Sequence, residues 1–448
     1  MSRSLRIRGA KPLRGKVRVP GDKSIGHRSL LFAALGEGLS TIEGLSHGED
    51  NLSTARALQA MGVDITLQPQ GRAQVQGVGL DGLRRSADDI DCGNSGTSMR
   101  LFAGLLCAQR FGSRLTGDGS LCSRPMRRVV DPLNARGAHI EGASGKNPQD
   151  VYPPLNIDPL PSAERLAGLR YDIPVASAQV KSALLLSGLY AKGPTALSEP
   201  MVSRDHTERM LLALGVPIET AGPVVVLDPA GWDRRWPGRH WQVPSDLSSA
   251  AFVLSAARIV PGSDVVLEQV GVNPTRTGFL DAMRLMGAQV EHEPKGEVAG
   301  GEPLADLRVT FGPLRGLTIG GELLTRMIDE VPIACVLAAC AQGVTEIRDA
   351  SELRVKESDR ISVMANTLQA FGVECQQYPD GLRITERPKA VPAVVQSQGD
   401  HRIAMAAAVL AMATPGLSVI EDVACIETSF PGFVALMREL GADIEETA

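Results

Sequence analysis

The segment MGVDI at residues 61–65 has five counterparts further along the chain. They are RGAHI at 136–140, LGVPI at 214–218, MGAQV at 286–290, FGVEC at 371–375 and LGADI at 440–444. The shared glycines are 75, 78, 72, 85 and 69 residues apart, a regularity typical of an internal repeat that tolerates loop insertions. Apolar residues at helical spacing precede each glycine and a short β-branched stretch follows it. The pattern therefore predicts a helix, a glycine cap and a strand in every copy.

A second series of short polar motifs alternates with the first. Each motif precedes an Ala-rich apolar segment, and the motifs are GDKSIGHRS, GNSGTSMR, VASAQVKS, PSDLSS, MIDE and GDHR. One anchor residue is taken from each motif: Ser24, Gly96, Ala178, Ser248, Asp329 and His401. Successive anchors are 72, 82, 70, 81 and 72 residues apart. Segments that are apolar on all sides predict buried helices, whereas the first series is amphipathic and predicts surface helices. The chain is thus predicted to contain six similar units, each with two helices and a few strands.

The tetrapeptides VPGD at 19–22 and VPSD at 243–246 flank the first three units. Proline holds the preceding residue in an extended conformation, which suits a crossover between lobes. Units of this size are too small to stand alone and are expected to share cores in groups. We predict one lobe from 21 to 244 and a discontinuous lobe from 245 to 448, completed by residues 1–20.

Composition excludes several classes of protein. The 448 residues include 46 basic and 51 acidic side chains, with a net charge of −5 and 43% hydrophobic residues. This balance excludes a disordered tail protein and argues against nucleic-acid binding through bulk positive charge. The longest apolar run, 403–413, is shorter than the roughly 20 residues of a bilayer span, so we expect a cytoplasmic protein that does not bind membranes. The seven cysteines lack metal-ligand spacing and are predicted to be reduced and mostly buried.

Unusual polar residues cluster at the predicted helix starts. In the apolar helices they are Lys23, Ser24, Arg28, the run 94–100, Ser177, Gln179, Lys181, Asp329, Glu330, Asp400, His401 and Arg402. In the amphipathic helices they are Arg124, Arg204, Arg276 and the run 354–360. A helix N-terminus favours anions, and a cation there costs an isolated helix about 0.3–1 kcal/mol. The repeated cations therefore predict a site for a strongly negative ligand, from which we leave out Arg276 as an ion-pair residue.

Eight motifs, taken in order, resemble those of the 5-enolpyruvylshikimate-3-phosphate synthase family. They are GDKSIGHRS, GNSGTSMR, SRPM at 123–126, VASAQVKS, SRDHTE at 203–208, MIDE, LRVKESDR and GDHR at 399–402. The resemblance covers essentially the whole chain, and SRDHTE is similar to the divergent class II branch. The resemblance implies an α/β fold, namely a two-lobed inside-out α/β barrel with three βαβαββ units per lobe. It also implies that helix N-termini of both lobes face the cleft between them.

The resemblance implies an enzyme that transfers the enolpyruvyl group of phosphoenolpyruvate to the 5-hydroxyl of shikimate 3-phosphate. The reaction proceeds by addition to a tetrahedral intermediate and elimination of phosphate. No motif indicates a metal or an organic cofactor, no P-loop is present, and we expect a monomer. The two substrates together carry about −5 to −6 charges. Seven predicted cations are comparable in number, namely Lys23, Arg28, Arg124, Arg204, Lys356, Arg360 and Arg402.

The resemblance also implies a role for each site residue. Phosphoenolpyruvate would be held by Lys23, Gly96, Arg124, Gln179, Arg360 and Arg402. Shikimate 3-phosphate would be held by Lys23, Ser24, Arg28, Ser177, Ala178, Gln179, Arg204, Asp329 and Lys356. The catalytic set would be Asp329, Glu357 and Lys23, with Asp329 and Glu357 performing the proton transfers. Glu357 lies between Lys356 and Arg360, so its role as an acid requires lobe closure and ligand charge to raise its pKa.

Two positions depart from the family's pattern, and a third bears on inhibitor binding. Thr428 stands where many relatives have a lysine, so that phosphoenolpyruvate contact does not carry over. Ala178 replaces a common serine and leaves only its backbone for binding. Glyphosate-tolerant members often have alanine where this chain has Gly96, so we expect room for the inhibitor and a glyphosate-sensitive enzyme.

Two other functions remain open at this stage. Relatives that use UDP-N-acetylglucosamine as the acceptor have an SGAKN-type start and a loop cysteine, whereas this chain has GDKS and only Cys122 beside SRPM. A non-catalytic scaffold that binds a phosphorylated partner would explain the repeats and arginines. It would not explain Asp329 and Glu357 among those arginines, because carboxylates do not assist anion binding.

Overall fold

A computed structural model describes residues 3–145, 147–298, 300–385 and 391–447. These ranges contain 24 strands and 13 α-helices. The strands are β1 (Ser4–Arg8), β2 (Arg14–Val17), β3 (Glu37–Glu43), β4 (Asp64–Gln68), β5 (Arg72–Val78), β6 (Ile90–Asp91), β7 (Ser113–Thr116), β8 (Ile140–Ala143), β9 (Tyr152–Ile157), β10 (Leu169–Asp172), β11 (Thr195–Ser198), β12 (Ile218–Ala221), β13 (Val224–Leu227), β14 (His240–Gln242), β15 (Asp264–Gly271), β16 (Val290–Val298), β17 (Glu302–Thr310), β18 (Thr318–Ile319), β19 (Val344–Ile347), β20 (Cys375–Tyr378), β21 (Gly381–Thr385), β22 (Val394–Gln396), β23 (Leu417–Glu421) and β24 (Asp443–Thr447). The helices are α1 (Lys23–Leu35), α2 (Glu49–Ala60), α3 (Gly96–Leu106), α4 (Arg127–Ala135), α5 (Ala178–Gly188), α6 (His206–Ala213), α7 (Leu247–Ile259), α8 (Gly278–Leu285), α9 (Gly321–Thr325), α10 (Val331–Ala339), α11 (Arg360–Ala370), α12 (His401–Met412) and α13 (Phe433–Glu439).

The described strands form six four-stranded sheets, one for each sequence repeat. In the third, the chain order is β10, α5, β11, α6, β12 and β13. Strand β10 pairs parallel with β11, and β13 pairs antiparallel with both β11 and β12. Other units are completed by strands distant in sequence, since β1 joins β23 and β24, and β2 joins β15. The predicted fold of six βαβαββ units is confirmed.

The two predicted helix series are both present. Helices α1, α3, α5, α7, α10 and α12 are buried along most or all of their length, as expected for segments that are apolar on all sides. The amphipathic series corresponds to α2, α4, α6, α8, α11 and α13. The glycine after each of these helices has a positive φ, from +76° at Gly215 to +107° at Gly441. Only glycine adopts this conformation without strain, which is why it recurs at this point of every repeat.

The chain divides into two compact units. The terminal unit comprises Met1–Asp22, Pro244–Gly296 and Pro303–Ala448, and the central unit comprises Lys23–Val243 and Glu297–Glu302. Each unit contains three of the sheets and its own hydrophobic core. No helix within the described ranges has the length and apolar character needed to cross a bilayer.

The segment 297–302 lies outside the lobe in which the sequence placed it. It is grouped with the central unit, in which the buried Glu302 carboxylate lies 2.7 Å from Nδ1 of His206. Arg209 also donates a hydrogen bond of 2.8 Å to the carbonyl of Gly301. Pairing of a buried histidine with a distant carboxylate leaves no periodic signal in the sequence.

Candidate active site

The start of α1 carries three predicted site residues. Lys23 begins the helix, and its Nζ lies 2.8 Å from Oδ2 of Asp50 in the first turn of α2. Arg28 is buried one turn later, where its Nη1 donates to the Ser24 carbonyl at 2.9 Å. Its Nε donates to Thr207 at 2.7 Å. The two cations are therefore held in fixed positions by neighbouring helices of the central unit.

The start of α3 positions Arg124. Ser95 caps the helix by accepting from the backbone N–H of Ser98 at 3.1 Å. The Nη2 of Arg124 donates to Oδ1 of Asn94 at 2.6 Å, and Nδ2 of Asn94 donates to Asp118 at 2.7 Å. Arg124 is only 8% exposed. The sequence motif GNSG is thus a helix cap that also orients a buried guanidinium.

Gln179 at the start of α5 is fixed by two residues of α3. Its Oε1 accepts from Nη1 of Arg100 at 2.7 Å, and its Nε2 donates to Oγ1 of Thr97 at 2.8 Å. Arg100 also donates to the Gly96 carbonyl at 3.1 Å. A Cβ at Gly96 would lie 2.7 Å from Nη1 of Arg100 and 3.3 Å from Nη1 of Arg124. Position 96 therefore has space only for glycine while Arg100 stays in place.

Two further helix starts in the central unit carry the other predicted residues. Ser177 caps α5 by accepting from the backbone N–H of Val180 at 3.4 Å, and Ala178 is the first residue of the helix. Arg204 is half-buried and precedes α6 by two residues. The sequence missed the buried carboxylate of Glu199, which accepts from the Ser177 N–H at 3.0 Å.

In the terminal unit, Arg360 at the start of α11 connects three carboxylates. Its Nε lies 2.8 Å from Asp400 and its Nη2 lies 2.6 Å from Glu357, while Nη1 lies 3.7 Å from Asp329. The Arg360 side chain is 1% exposed. Burial raises the pKa of Asp400, but the charge and hydrogen bond of Arg360, together with His401, hold that pKa below its usual value. The sequence places both residues at helix starts, but it indicates a substrate-binding role only for Arg360 and does not predict their pairing.

Asp329 is fixed through both its side chain and its backbone. It lies in a 3-10 turn, Ile328–Glu330, directly before α10. Its Oδ1 is 3.7 Å from Nζ of Lys356, and its carbonyl accepts from Nη1 of Arg402 at 2.8 Å. Arg402 also lies 3.7 Å from the buried carboxylate of Glu330. The five residues predicted in the terminal unit therefore form one connected cluster: Asp329, Lys356, Glu357, Arg360 and Arg402.

The ion pair predicted for Arg276 is present and buried. Its Nη2 lies 3.6 Å from Asp246 and 3.7 Å from Glu330. Burial and the neighbouring Asp22 carboxylate raise the pKa of Asp246 to about 6, although Arg276 and Arg402 lower it. Because Glu330 contacts both arginines, this ion-pair cluster adjoins the Asp329 cluster.

Thr428 supplies no cation in place of the lysine found in many relatives. It ends a 3-10 turn, Ala424–Thr428, and its hydroxyl donates to the Cys425 carbonyl at 2.6 Å. The seven cysteines are free. Three of them are buried, Cys92, Cys107 and Cys335, and the other four are partly exposed.

Known proteins share the sequence and fold of this chain. It matches the family described as EPSP synthase (3-phosphoshikimate 1-carboxyvinyltransferase) over residues 7–437. It is 52% identical over 435 residues to the 3-phosphoshikimate 1-carboxyvinyltransferase of Alkalilimnicola ehrlichii, covering 97% of this chain and 95% of that protein. The EPSP synthase of Acinetobacter baumannii superposes over 100% of both chains with a TM-score of 0.87 and 42% identity. The enolpyruvyl transferase NikO of Streptomyces tendae, at 19% identity and a TM-score of 0.79 over 100% and 99% of the two chains, shares the fold.

Proposed function

The chain belongs to the EPSP synthase family and transfers the enolpyruvyl group of phosphoenolpyruvate to shikimate 3-phosphate, and we propose that the residues described above carry out this reaction. This assignment sets aside UDP-N-acetylglucosamine as the acceptor and the non-catalytic scaffold. Membership in the class II branch stays a prediction from the SRDHTE motif.

Phosphoenolpyruvate binds to cations and a helix N-terminus. The proposed contacts are Lys23, Gly96, Arg124, Gln179, Arg360 and Arg402. Arg124 and Arg360 suit this role because both guanidiniums are buried and oriented by carboxylate or amide oxygens. A preoriented guanidinium loses little side-chain entropy when it binds a phosphate or carboxylate.

Shikimate 3-phosphate binds mainly to helix starts of the central unit. The proposed contacts are Lys23, Ser24, Arg28, Ser177, Ala178, Gln179, Arg204, Asp329 and Lys356. Ala178 contributes its backbone N–H in the first turn of α5, where the helix dipole favours a phosphate. Asp329 accepts a hydrogen bond from a ring hydroxyl of shikimate 3-phosphate. This contact distinguishes the substrate from a simple anion, which has no such hydroxyl.

The proton transfers are assigned to Asp329 and Glu357, and Lys23 completes the catalytic set. The observation that carries this assignment is that both carboxylates lie beside the same buried guanidinium, that of Arg360. Glu357 protonates the methylene carbon during addition and removes a proton from the resulting methyl group during elimination. Asp329 accepts the proton of the attacking 5-hydroxyl. Lys23 stabilises the phosphate as it leaves.

Phosphate release tests the function directly. Purified protein with phosphoenolpyruvate and shikimate 3-phosphate is expected to release inorganic phosphate, and a parallel reaction with UDP-N-acetylglucosamine is expected to release none. Release only in the second reaction would reject the proposed acceptor. Release in neither reaction, from a folded protein, would reject catalysis.

Glu357→Gln tests the proton transfers. The amide keeps the shape of the side chain but does not exchange a proton, so kcat is expected to fall at least about 100-fold, as is typical when a general acid or base is lost. Substrate affinity, measured by calorimetric titration of shikimate 3-phosphate, is expected to change little. Turnover within threefold of the unmodified enzyme would reject the assignment.

We also propose that the protein acts as a monomer in the cytoplasm. All of the proposed site residues come from one chain, so the reaction requires no partner subunit. Both substrates are multiply charged metabolites that do not cross membranes unaided. Sedimentation equilibrium is expected to give the mass of one chain, 47.4 kDa.

A further inference from the structure

A buried carboxylate outside the proposed site connects the two helix starts that hold the phosphorylated substrate. Glu199 follows β11, and its side chain is 1% exposed. Its Oε1 accepts from the backbone N–H of Ser177 at 3.0 Å and from the Ser203 hydroxyl at 2.6 Å. Its Oε2 accepts from Nζ of Lys181 at 2.8 Å and from the Ser203 N–H at 3.2 Å. All four donors thus converge on one carboxylate.

These donors belong to the segments that carry the proposed contacts for shikimate 3-phosphate. Ser177 caps α5 and directly precedes Ala178. Ser203 directly precedes Arg204, at the start of the turn into α6. Glu199 therefore fixes the backbone directly before Ala178 and directly before Arg204. It contacts neither substrate in the proposed arrangement.

We propose that Glu199 is a positioning residue that sets the geometry of shikimate 3-phosphate binding by holding Ser177 and Ser203 at a fixed position relative to each other. This inference rests on the proposed function, because it assumes that Ser177, Ala178 and Arg204 bind that substrate. A carboxylate suits the position because its two oxygens accept four hydrogen bonds at once. A glutamine has one acceptor oxygen and an NH2 group, which would face at least one of the backbone N–H groups.

Glu208 provides a matched control within the same ion-pair network. Its Oε1 lies 2.7 Å from Nζ of Lys181, and its side chain is 5% exposed. Although burial lowers the pKa of Lys181, the carboxylates of Glu208 and Glu199 raise it above the usual value. Glu199 and Glu208 are thus comparable in burial and in their partner Lys181. The two residues differ in that the described hydrogen bonds from Ser177 and Ser203 are accepted by Glu199.

The test compares Glu199→Gln with Glu208→Gln in the full-length protein. Both variants weaken the Lys181 ion pair and are expected to lower the thermal unfolding temperature. Glu199→Gln is expected to raise the Kd for shikimate 3-phosphate, measured by calorimetric titration, by about tenfold. Its KM for phosphoenolpyruvate at saturating shikimate 3-phosphate is expected to stay within twofold. Glu208→Gln is expected to leave the Kd for shikimate 3-phosphate within twofold.

Ser203→Ala is the second variant, for use if Glu199→Gln fails to fold. It removes one hydroxyl donor to Glu199, and it is expected to raise the Kd for shikimate 3-phosphate about threefold.

An unchanged Kd in Glu199→Gln, or in Ser203→Ala if that variant replaces it, would overturn the inference. Equal weakening in Glu199→Gln and Glu208→Gln would also overturn it, since that is the result of a merely structural role. The proposed function fails separately, if the unmodified protein releases no phosphate from the two substrates.

Discussion

At the scale of single residues, position 96 lies beside the Arg100 and Arg124 guanidiniums, and Arg100 in turn binds Gln179. Gly96→Ala would place a methyl group 2.7 Å from Nη1 of Arg100, which must then move and release its hydrogen bonds to position 96 and to Gln179. Loss of a hydrogen bond to a charged group typically costs about 1.5–3 kcal/mol. We expect the KM for phosphoenolpyruvate to rise about tenfold, and the Kd for shikimate 3-phosphate to change less.

A double-mutant cycle separates this mechanism from direct contact with the ligand. If the methyl group acts by displacing Arg100, adding Gly96→Ala to Arg100→Met is expected to cause no further increase in the KM for phosphoenolpyruvate. Additive effects would show that the methyl group acts on the ligand itself. The expected glyphosate sensitivity depends on the same space at Gly96 and stays a prediction.

Asp246 gives the terminal unit a pH-dependent stability. Its pKa is about 6 in the folded protein and 3.8 for the unperturbed group. Between these values the folded protein binds more protons than the unfolded chain, so this residue's contribution to stability falls as pH rises from about 4 to 6. The unfolding free energy of Asp246→Asn, measured with denaturant across this pH range, is expected to lack this fall. A pH dependence identical to that of the unmodified protein would contradict the prediction.

Residue types at the site were predictable from the sequence, but their pairings were not. The resemblance and the helix starts identified Lys23 and Arg360, whereas Asp50 and Asp400 were missed as their partners. Arg360 lies beside three carboxylates. The number of cations alone therefore overstates the net positive charge available to the substrates. The Lys23–Asp50 pair joins the two helices of one repeat, whereas the Arg360–Asp400 pair joins helices of adjacent repeats. Neither kind of pairing has a fixed spacing in the sequence.

At the scale of elements, the repeat glycines test why each amphipathic helix ends where it does. Gly215 has a φ of +76°, and a Cβ there would meet no atom within 4 Å. Gly215→Ala therefore adds backbone strain without a steric clash, which is expected to destabilise the protein by about 1 kcal/mol. Gly119 has equally open space and no positive φ. Gly119→Ala is expected to be neutral or slightly stabilising, and equal losses in denaturant unfolding would contradict the explanation.

Local elements were predictable because their signals are local. Helical periodicity and a glycine in the left-handed conformation both act within a few residues, so the six helix–glycine–strand copies were found directly. The pairing of β1 with β23 and β24 depends instead on contacts between the two ends of the chain. The contacts of Gly301 and Glu302 with α6 are also long-range, and no sequence pattern around these two residues indicates them.

At the scale of the whole molecule, the central unit has the properties of an independent folding unit. It contains three complete sheets, its own core and about 220 contiguous residues, a size that supports a stable domain. We expect a fragment of residues 23–243 to unfold cooperatively in denaturant and to release no phosphate, because it lacks Asp329 and Glu357. A fragment without a cooperative transition would show that the central unit requires the rest of the chain.

The same fragment is expected to be less stable than the central unit within the full chain. It lacks Glu302, whose carboxylate lies 2.7 Å from Nδ1 of the buried His206. A buried polar group that loses its partner typically costs about 1–3 kcal/mol. Full-length Glu302→Ala removes the same partner while keeping the chain intact, so its loss in unfolding free energy measures this contribution. Full stability in that variant would show that another group replaces Glu302, and the fragment would then lose nothing through His206.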